Sequence, residues 1–211
     1  MGGISIFCLF LLLNHYGLVL SGHDYTMAAA TLNIEGQRRA SNGEYSESII
    51  AYSKAIKIDS NFPNSYYNRG VSYSMLGQQN LALMDFNKFI SQMPQDSKGY
   101  NYRGYVLRHL GKDSMAILDF NKAIQLDSEY LSAYYNRGVS FSLIGKSSLA
   151  ILDFTKVLKI DSNYANAYLY RGYLEFKENE KGLSCTDMHK AANLGVQAAK
   201  EFVAKNCGLS N

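Results

Sequence analysis

The chain has 211 residues, of which 47% are apolar, and this content is enough to bury a sizeable core. Its net charge of +3 comes from lysines and arginines spread between Arg38 and Lys205. The sequence therefore lacks the concentrated basic patch that nucleic-acid binding requires.

Residues 1–22 differ in composition from the rest of the chain, because they contain an apolar run at 4–13, interrupted only by Ser5, and no charged residue. We predict a secretory signal peptide cleaved near Ser21 or Gly22, and hence an exported protein, periplasmic or secreted. Two alternatives stay open. The segment could be retained as a membrane anchor, although a bilayer span needs about 20 apolar residues. Translation could also begin at Met27, just before the first repeat.

A 34-residue period runs without a gap through most of the sequence. The five repeats are 29–62, 63–96, 97–130, 131–164 and 165–198. One ladder is made of glycine: Gly36, Gly70, Gly104, Gly138 and Gly172. A second is aromatic except at its last position: Tyr52, Phe86, Phe120, Phe154 and Met188. A period of this length predicts a solenoid of stacked units, for which a binding surface is the first functional expectation.

Each repeat is predicted to contain two helices. In the fourth repeat Tyr134, Gly138 and Phe141 are spaced four and three residues apart, as one helical face requires. Gly145 then ends the first helix, because glycine adopts a left-handed conformation without steric cost. A glycine inside a helix indicates close approach of the second helix, and we expect a ladder of small residues to face it: Ser48, Ala82, Ala116, Ala150 and Ser184.

These residues resemble the tetratricopeptide repeat family. In the third repeat the resemblance is carried by Tyr100, Gly104, Gly111, Ala116, Phe120 and Ala123. It covers residues 29–198, about four fifths of the chain. The resemblance implies an all-α, right-handed superhelical solenoid of five helix-turn-helix repeats.

The end of the repeat region departs from the pattern. The fifth repeat has Glu175 and Asn179 where the fourth has Phe141 and Gly145. Terminal repeats need a more polar outer face, so we expect Glu175 to lie on it. Residues 196–206 overlap the end of the last repeat and are predicted to form an amphipathic capping helix.

Arginine and aspartate recur together, 16 residues apart, in four of the five repeats, and the first repeat has Glu35 and Ala51 at these two positions. We infer a structural ion pair that joins either the two helices of one repeat or two adjacent repeats. The functional alternative is a basic ladder for an acidic ligand. The pairs are Arg69 with Asp85, Arg103 with Asp119, Arg137 with Asp153, and Arg171 with Asp187.

Cys185 and Cys207 lie at similar distances on either side of a predicted turn at Gly195. We predict a disulfide that fixes the capping helix, which an oxidising compartment would permit; two free buried thiols are the alternative. The four histidines are scattered, and no catalytic or metal-ligand spacing occurs. We therefore expect no catalytic residue, no metal site, no cofactor and no enzymatic activity.

One stripe of the first helices changes from repeat to repeat. The resemblance implies that this stripe lines a concave groove, where aromatic side chains would anchor a partner. The candidate groove residues are Tyr67, Val71, Asn101, Tyr105, Arg108, Tyr135, Val139, Leu169 and Tyr173. The alternative is that these residues pack against neighbouring repeats.

We therefore expect a non-enzymatic protein-interaction module that binds a partner peptide or helix in this groove. The expected partner is another protein, and a membrane is involved only if residues 1–22 are retained. A structural subunit of a self-associating or envelope-associated assembly is the alternative. Helical repeats can also support RNA binding, but the modest net charge argues against it.

Overall fold

The computed structural model describes residues 22–208, with side chains from Tyr25 onward. The apolar run assigned to a signal peptide lies outside these residues. The described residues form eleven α-helices and no β-strand. In chain order the helices are α1 (Gly22–Ser41), α2 (Tyr45–Ile58), α3 (Pro63–Met75), α4 (Gln79–Gln92), α5 (Ser97–His109), α6 (Asp113–Leu126), α7 (Leu131–Leu143), α8 (Ser147–Ile160), α9 (Ala165–Lys177), α10 (Lys181–Asn193) and α11 (Gln197–Asn206). None of these helices is long and apolar enough to cross a bilayer.

The described chain consists of two compact units, residues 22–94 and residues 95–208. Unit 1 contains the hairpins α1–α2 and α3–α4. Unit 2 contains α5–α6, α7–α8 and α9–α10, followed by the single helix α11. Within each unit every hairpin also packs on the next one, as in a helical repeat solenoid. The predicted all-α repeat architecture with a C-terminal capping helix is therefore confirmed.

Glycine ends the first helix of four hairpins with a left-handed residue. Gly43, Gly77, Gly111 and Gly145 have φ between 70° and 81°, where glycine has no Cβ to clash. In the fourth repeat the next backbone N–H, that of Lys146, donates to the carbonyl of Phe141 at 2.8 Å, which satisfies the helix end. The turn glycines predicted from the sequence are thus confirmed.

The glycine inside each first helix faces the aromatic ladder, so the expectation of a facing alanine or serine was wrong. A Cβ on Gly138 would lie 3.0 Å from Cε1 of Phe154 and 3.2 Å from Cβ of Asp153. Ala150 is fully buried, yet it is not among the nearest atoms. The glycine ladder exists because each first helix rests directly on a large side chain of its partner helix, which is an aromatic ring in four repeats and Met188 in the fifth.

The same rings form the centre of the core. Phe86, Phe120, Phe154 and Met188 are fully buried, and Tyr52 is 1% exposed. Burial of a side chain of this size stabilises a fold by about 1.5–3 kcal/mol. In unit 2, one cluster joins α7 and α8 to α9, and a second joins α10 to α11 through residues such as Ala191 and Phe202.

Candidate functional site

The four predicted arginine–aspartate pairs all form, and each joins the two helices of one hairpin. The guanidinium of Arg137 donates from Nε and Nη2 to the two carboxylate oxygens of Asp153, at 2.8 and 2.6 Å. The same two-point geometry occurs between Arg69 and Asp85, between Arg103 and Asp119, and between Arg171 and Asp187. Two parallel charge-assisted bonds fix both distance and orientation, so these pairs lock the hairpins.

A third guanidinium nitrogen extends these contacts to the preceding hairpin. Nη1 of Arg137 donates to Asn121 at 2.6 Å, and Nη1 of Arg171 donates to Thr155 at 3.0 Å. In unit 1, Nη1 of Arg69 donates to Ser53 at 3.0 Å. The sequence contains a signal for these contacts, because a short polar residue recurs 16 positions before each of the four arginines. The arginines are therefore structural, and their charge is neutralised inside the repeats.

Burial acts on the acidic partners of these pairs. Asp85 and Asp153 are each 4% exposed, and loss of hydration raises the pKa of both carboxyl groups although the paired arginines act in the opposite direction. The hydrogen bonds that Arg103 and Arg171 donate to Asp119 and Asp187 raise the pKa of the two arginines. Breaking one partner of such a pair leaves a desolvated charge, which is costly.

The first helices of unit 2 lie side by side, since α7 contacts both α5 and α9. Their side chains on one stripe form a surface that we call the first-helix face: Lys98, Asn101, Tyr105, Arg108, Ser132, Tyr135, Val139, Ser142, Asn166, Leu169, Tyr173 and Phe176. Tyr105, Arg108, Tyr135 and Leu169 are half-buried there, and Tyr173 is 43% exposed.

Tyr135 lies at the centre of an aromatic cluster on this face. Its ring is 5.9 Å from that of Phe154, 5.1 Å from that of Tyr164 and 6.0 Å from that of Tyr170. Burial raises the pKa of its hydroxyl. Tyr164 and Tyr170 were not among the sequence candidates, because the repeat pattern does not place them on the same stripe as Tyr135. The cluster gives the face a rigid aromatic centre.

The end of the face is braced by the capping helix. The ring of Tyr173 packs edge-on against Phe202 of α11 with centroids 5.4 Å apart, and Phe176 does the same at 5.1 Å. Leu169 packs against the same cluster. Helix α11 therefore holds the aromatic and aliphatic residues of α9 in place while leaving much of Tyr173 open to solvent.

Two predicted groove residues do not line an open surface. Asn101 is 4% exposed: its side chain accepts a bond from Asn136 of α7 at 3.2 Å and donates to the hydroxyl of Tyr130 at 3.3 Å. Val139 is 7% exposed and belongs to the core that joins α7, α8 and α9. For these two positions the alternative of packing between repeats is correct.

In unit 1 the corresponding stripe carries Tyr67 and Val71, which are both half-buried. The ring of Tyr67 lies 5.2 Å from Phe89 and 6.1 Å from Phe86. Asn68 donates to Asn33 of α1 at 3.0 Å, repeating the asparagine contact seen in unit 2. Polar bonds between neighbouring first helices are thus a second structural device that the sequence did not reveal.

Cys185 of α10 and Cys207, directly after α11, form a disulfide, as the sequence predicted. Their Cα atoms lie 5.6 Å apart. The bond closes the chain around the turn at Gly195 and attaches the capping helix covalently to the last repeat.

The second helices of unit 2 carry an exposed apolar stripe. Leu118 of α6 is 68% exposed, and Leu152 of α8, one repeat later, is 65% exposed. Met115 and Leu149 precede them by one turn, with 54% and 42% exposed. Single exposed apolar residues are common, but a regular stripe of them indicates a surface that can associate.

Across the described part of the chain, no group of three or more His, Cys, Asp or Glu side chains is placed to hold a metal ion. Glu175 is a buried acid with a strongly raised pKa. It is only 8% exposed, so the expectation that it lies on a wet outer face was wrong. Its Oε2 has no hydrogen-bond partner, and burial together with the nearby carboxylate of Asp187 raises its pKa to about 7.

Fold and site together define a helical repeat protein with extended exposed surfaces. Family models described as "TPR repeat" match residues 36–77 and 104–145, and models described as "Tetratricopeptide repeat" match 64–96 and 131–164. Together they cover more than half of the sequence, and the chain belongs to the tetratricopeptide repeat family. A comparison with curated protein sequences finds no significant match.

Solved tetratricopeptide structures share this fold. MamA is 24% identical with a TM-score of 0.69, and the alignment covers 81% of this chain and 96% of that one. PilF of Pseudomonas aeruginosa is 20% identical with a TM-score of 0.76, covering 82% and 79%. YrrB, described as a TPR protein with an unusual peptide-binding site, is 19% identical with a TM-score of 0.67, covering 82% and 90%. At these sequence identities, the similarity to the three proteins establishes the fold of this chain alone.

Proposed function

We propose that this protein is an exported, non-enzymatic interaction module that holds an extended segment or a helix of another protein on its first helices. The observation that carries the proposal is the first-helix face of unit 2. It presents half-exposed tyrosines on a scaffold that ion pairs, buried asparagines and the capping helix make rigid. Rigid aromatic anchors reduce the entropy lost on binding and commonly dominate protein interfaces.

The relatives support this function by analogy. Tetratricopeptide proteins are generally scaffolds that bind proteins or peptides, and YrrB is described by its peptide-binding site. The disulfide between Cys185 and Cys207 supports export, because such bonds persist in oxidising compartments. Cell fractionation with mass measurement of the mature protein tests export. Export would be contradicted if the chain isolated from the cytoplasm still carried residues 1–22 and had Cys185 and Cys207 as free thiols.

Site-specific photo-crosslinking tests the binding surface. A photoreactive amino acid replaces Tyr105 or Tyr173 on the first-helix face, and Leu118 on α6 serves as the matched control. We expect the same partner to be captured from the two tyrosine positions and not from Leu118. Capture from Leu118 alone would move the binding site to the second helices.

Self-association is the second candidate function, and the exposed stripe of Leu118, Leu152, Met115 and Leu149 favours it. Light scattering over a range of concentrations distinguishes the two. A concentration-independent monomer supports partner binding on the first helices. If the protein forms a dimer and the double variant Leu118→Glu, Leu152→Glu is a monomer, this result supports assembly through the second helices.

A further inference from the structure

Arg108 differs from the other arginines of the chain in its lack of a carboxylate partner. The chain has seven arginines, and six of them bind a carboxylate at 2.6–2.8 Å: Arg38, Arg39, Arg69, Arg103, Arg137 and Arg171. Among the described residues, no carboxylate lies within ion-pair distance of Arg108. Its Nε is also buried from solvent and has no hydrogen-bond partner.

The unpaired guanidinium lies among the aromatic residues of the first-helix face. Its central carbon is 5.2 Å from the ring centroid of Tyr105, one turn earlier on α5. Its positive charge also acts on Tyr135 of α7, where it partly offsets the rise that burial causes in the pKa of that hydroxyl. Arg108 therefore lies against Tyr105, and its charge extends to a tyrosine of the next repeat.

The charge of the face is one-sided. Its twelve stripe positions include Lys98 and Arg108 and no aspartate or glutamate. The next acidic residue along the chain is Asp113, which begins α6 beyond the turn, and its buried Oδ1 forms no hydrogen bond. The structure thus leaves a cation on the face without internal neutralisation. Aromatic surroundings exclude water, which strengthens a charge-assisted hydrogen bond to an incoming anion.

We propose that the first-helix face of unit 2 binds a segment of a partner protein in which an aspartate or glutamate adjoins an aromatic or aliphatic residue. The carboxylate binds Arg108, and the apolar neighbour packs on Tyr105 and Tyr135. This proposal rests on the proposed function, because it specifies the chemistry of the partner for the same surface. The charge complementarity of the face favours an acidic segment over a basic or neutral one.

A displayed library of random peptides, selected on the purified protein, tests the proposal. We expect selected peptides to be enriched in Asp or Glu beside Phe, Tyr or Leu. Resynthesised peptides should bind Arg108→Gln at least about tenfold more weakly than wild type, as the loss of a hydrogen bond to a charged group predicts. Selection on Arg108→Glu should favour Lys and Arg. Lys112→Glu is the matched control, since it changes an exposed charge at the turn, and it should keep wild-type affinity.

The melting temperature of Arg108→Gln separates recognition from folding. Because Arg108 has no ion pair to lose, we expect an unchanged melting temperature together with weaker binding. If Arg108→Gln lowered the melting temperature and Asp113→Asn lowered it by the same amount, Arg108 and Asp113 would form an ion pair in solution. This result would overturn the proposal.

The remaining outcomes distinguish this proposal from the proposed function. Peptides that depend on Tyr105 but carry no acid, and bind Arg108→Gln normally, would overturn the acidic site and leave the binding face intact. Failure to select any peptide that depends on Tyr105 or Tyr173 would overturn both. The protein could also form a dimer that the substitution Arg108→Glu dissociates and that acidic peptides do not disrupt. The occupant of the face would then be a second copy of this chain, and this result would also overturn the proposal.

Discussion

The fourth and fifth repeats of unit 2 share one hairpin design but differ in what stabilises it. Both have the bidentate arginine–aspartate pair. The fourth repeat has Phe154 beneath its helical glycine, and the fifth has the flexible Met188. The fourth repeat has the apolar Phe141 one turn later, and the fifth has the buried acid Glu175. The last repeat is therefore the less well packed hairpin.

The turn between the two helices is also less favourable in the fifth repeat than in the fourth. Gly145 ends α7 with φ of 76°, and Asn179 ends α9 with φ of 65°, in a region that costs a side chain conformational energy. Contacts from outside the hairpin stabilise the fifth repeat. The disulfide attaches α11 to it, and Phe202 packs under Tyr173 and Phe176. The fourth repeat has a neighbouring hairpin on each side, whereas the fifth has a hairpin on one side and only α11 on the other. A terminal repeat therefore depends on a cap.

The largest effect is expected from removal of an aspartate of the ion pairs. Asp153→Ala should lower the free energy of unfolding by about 3–5 kcal/mol, because Arg137 would stay buried without its partner. Asp187→Ala should cost less, because Oε1 of Glu175 already lies 3.8 Å from Nε of Arg171 and can replace the lost carboxylate. Denaturant unfolding measures both.

An exposed lysine in the fourth repeat provides the control for this comparison. Lys146→Ala should change stability little, because the side chain is exposed at the turn. Equal losses for Asp153→Ala and Lys146→Ala would contradict a structural ion pair. Equal losses for Asp153→Ala and Asp187→Ala would contradict the supporting role of Glu175.

Removal of the disulfide should destabilise the fifth repeat selectively. The two cysteines are 22 residues apart, and closure of a loop of this length contributes about 3 kcal/mol in the chain-entropy model. In the Cys185→Ser, Cys207→Ser variant, hydrogen exchange should quicken in α10 and α11 and stay slow in α7 and α8. Wild type under reducing conditions is the control. Equal acceleration in all four helices would show that the cap does not act locally.

Filling the space beside the helical glycine should cost about 1–3 kcal/mol through overpacking, and the cost should differ between the two repeats. Gly138→Leu meets the rigid ring of Phe154. Gly172→Leu meets Met188, whose Cε and Cγ would both lie 3.2 Å from the new Cβ but can move. Melting curves should therefore show the larger drop for Gly138→Leu. Equal drops for the two variants would contradict an influence of the flexibility of Met188.

Glu175 should make stability depend on pH. Its folded-state pKa of about 7 lies above the ordinary value of 4.5, so the folded protein binds this proton more tightly than the unfolded chain. The resulting stability is fully present below about pH 4.5 and is lost as the pH rises to 7. Glu175→Gln should remove this contribution, and its melting temperature should exceed that of wild type by a few degrees at pH 8.

The pH series needs a matched acid from the same hairpin. Glu178→Gln, at the exposed end of α9, should follow the wild-type melting profile between pH 4.5 and 8. If the melting temperature of Glu175→Gln changed with pH in the same way as that of wild type over this range, the raised pKa of Glu175 would be contradicted.

The smallest effect is expected at the last turn. Asn179→Gly should stabilise the protein by about 0.5–1 kcal/mol, because glycine adopts positive φ without a Cβ clash. The reverse change in the fourth repeat, Gly145→Asn, should destabilise by a similar amount. Denaturant midpoints measure both, and a loss of stability for Asn179→Gly would show that the asparagine side chain contributes more than its backbone costs.

The sequence by itself determined the helical repeat, its period, the turn glycines, the four ion pairs and the disulfide. Each of these depends on residues that are close in the chain or recur at a fixed spacing. Arg137 and Asp153, for example, lie 16 residues apart in one hairpin, so the repeat pattern alone brings them together. Local propensity and regular packing agree, and such agreement makes a sequence pattern reliable.

Only the tertiary structure decided which side chains of the first helices remain open. Asn101, Val139 and Tyr173 share a stripe in the sequence pattern, yet the first two are buried between neighbouring first helices and the third stays exposed. It also placed a phenylalanine ring instead of an alanine beneath Gly138, and it left Arg108 without a carboxylate while pairing every other arginine. Burial and pairing depend on how far neighbouring helices approach each other, and the period of a sequence contains no information about that distance.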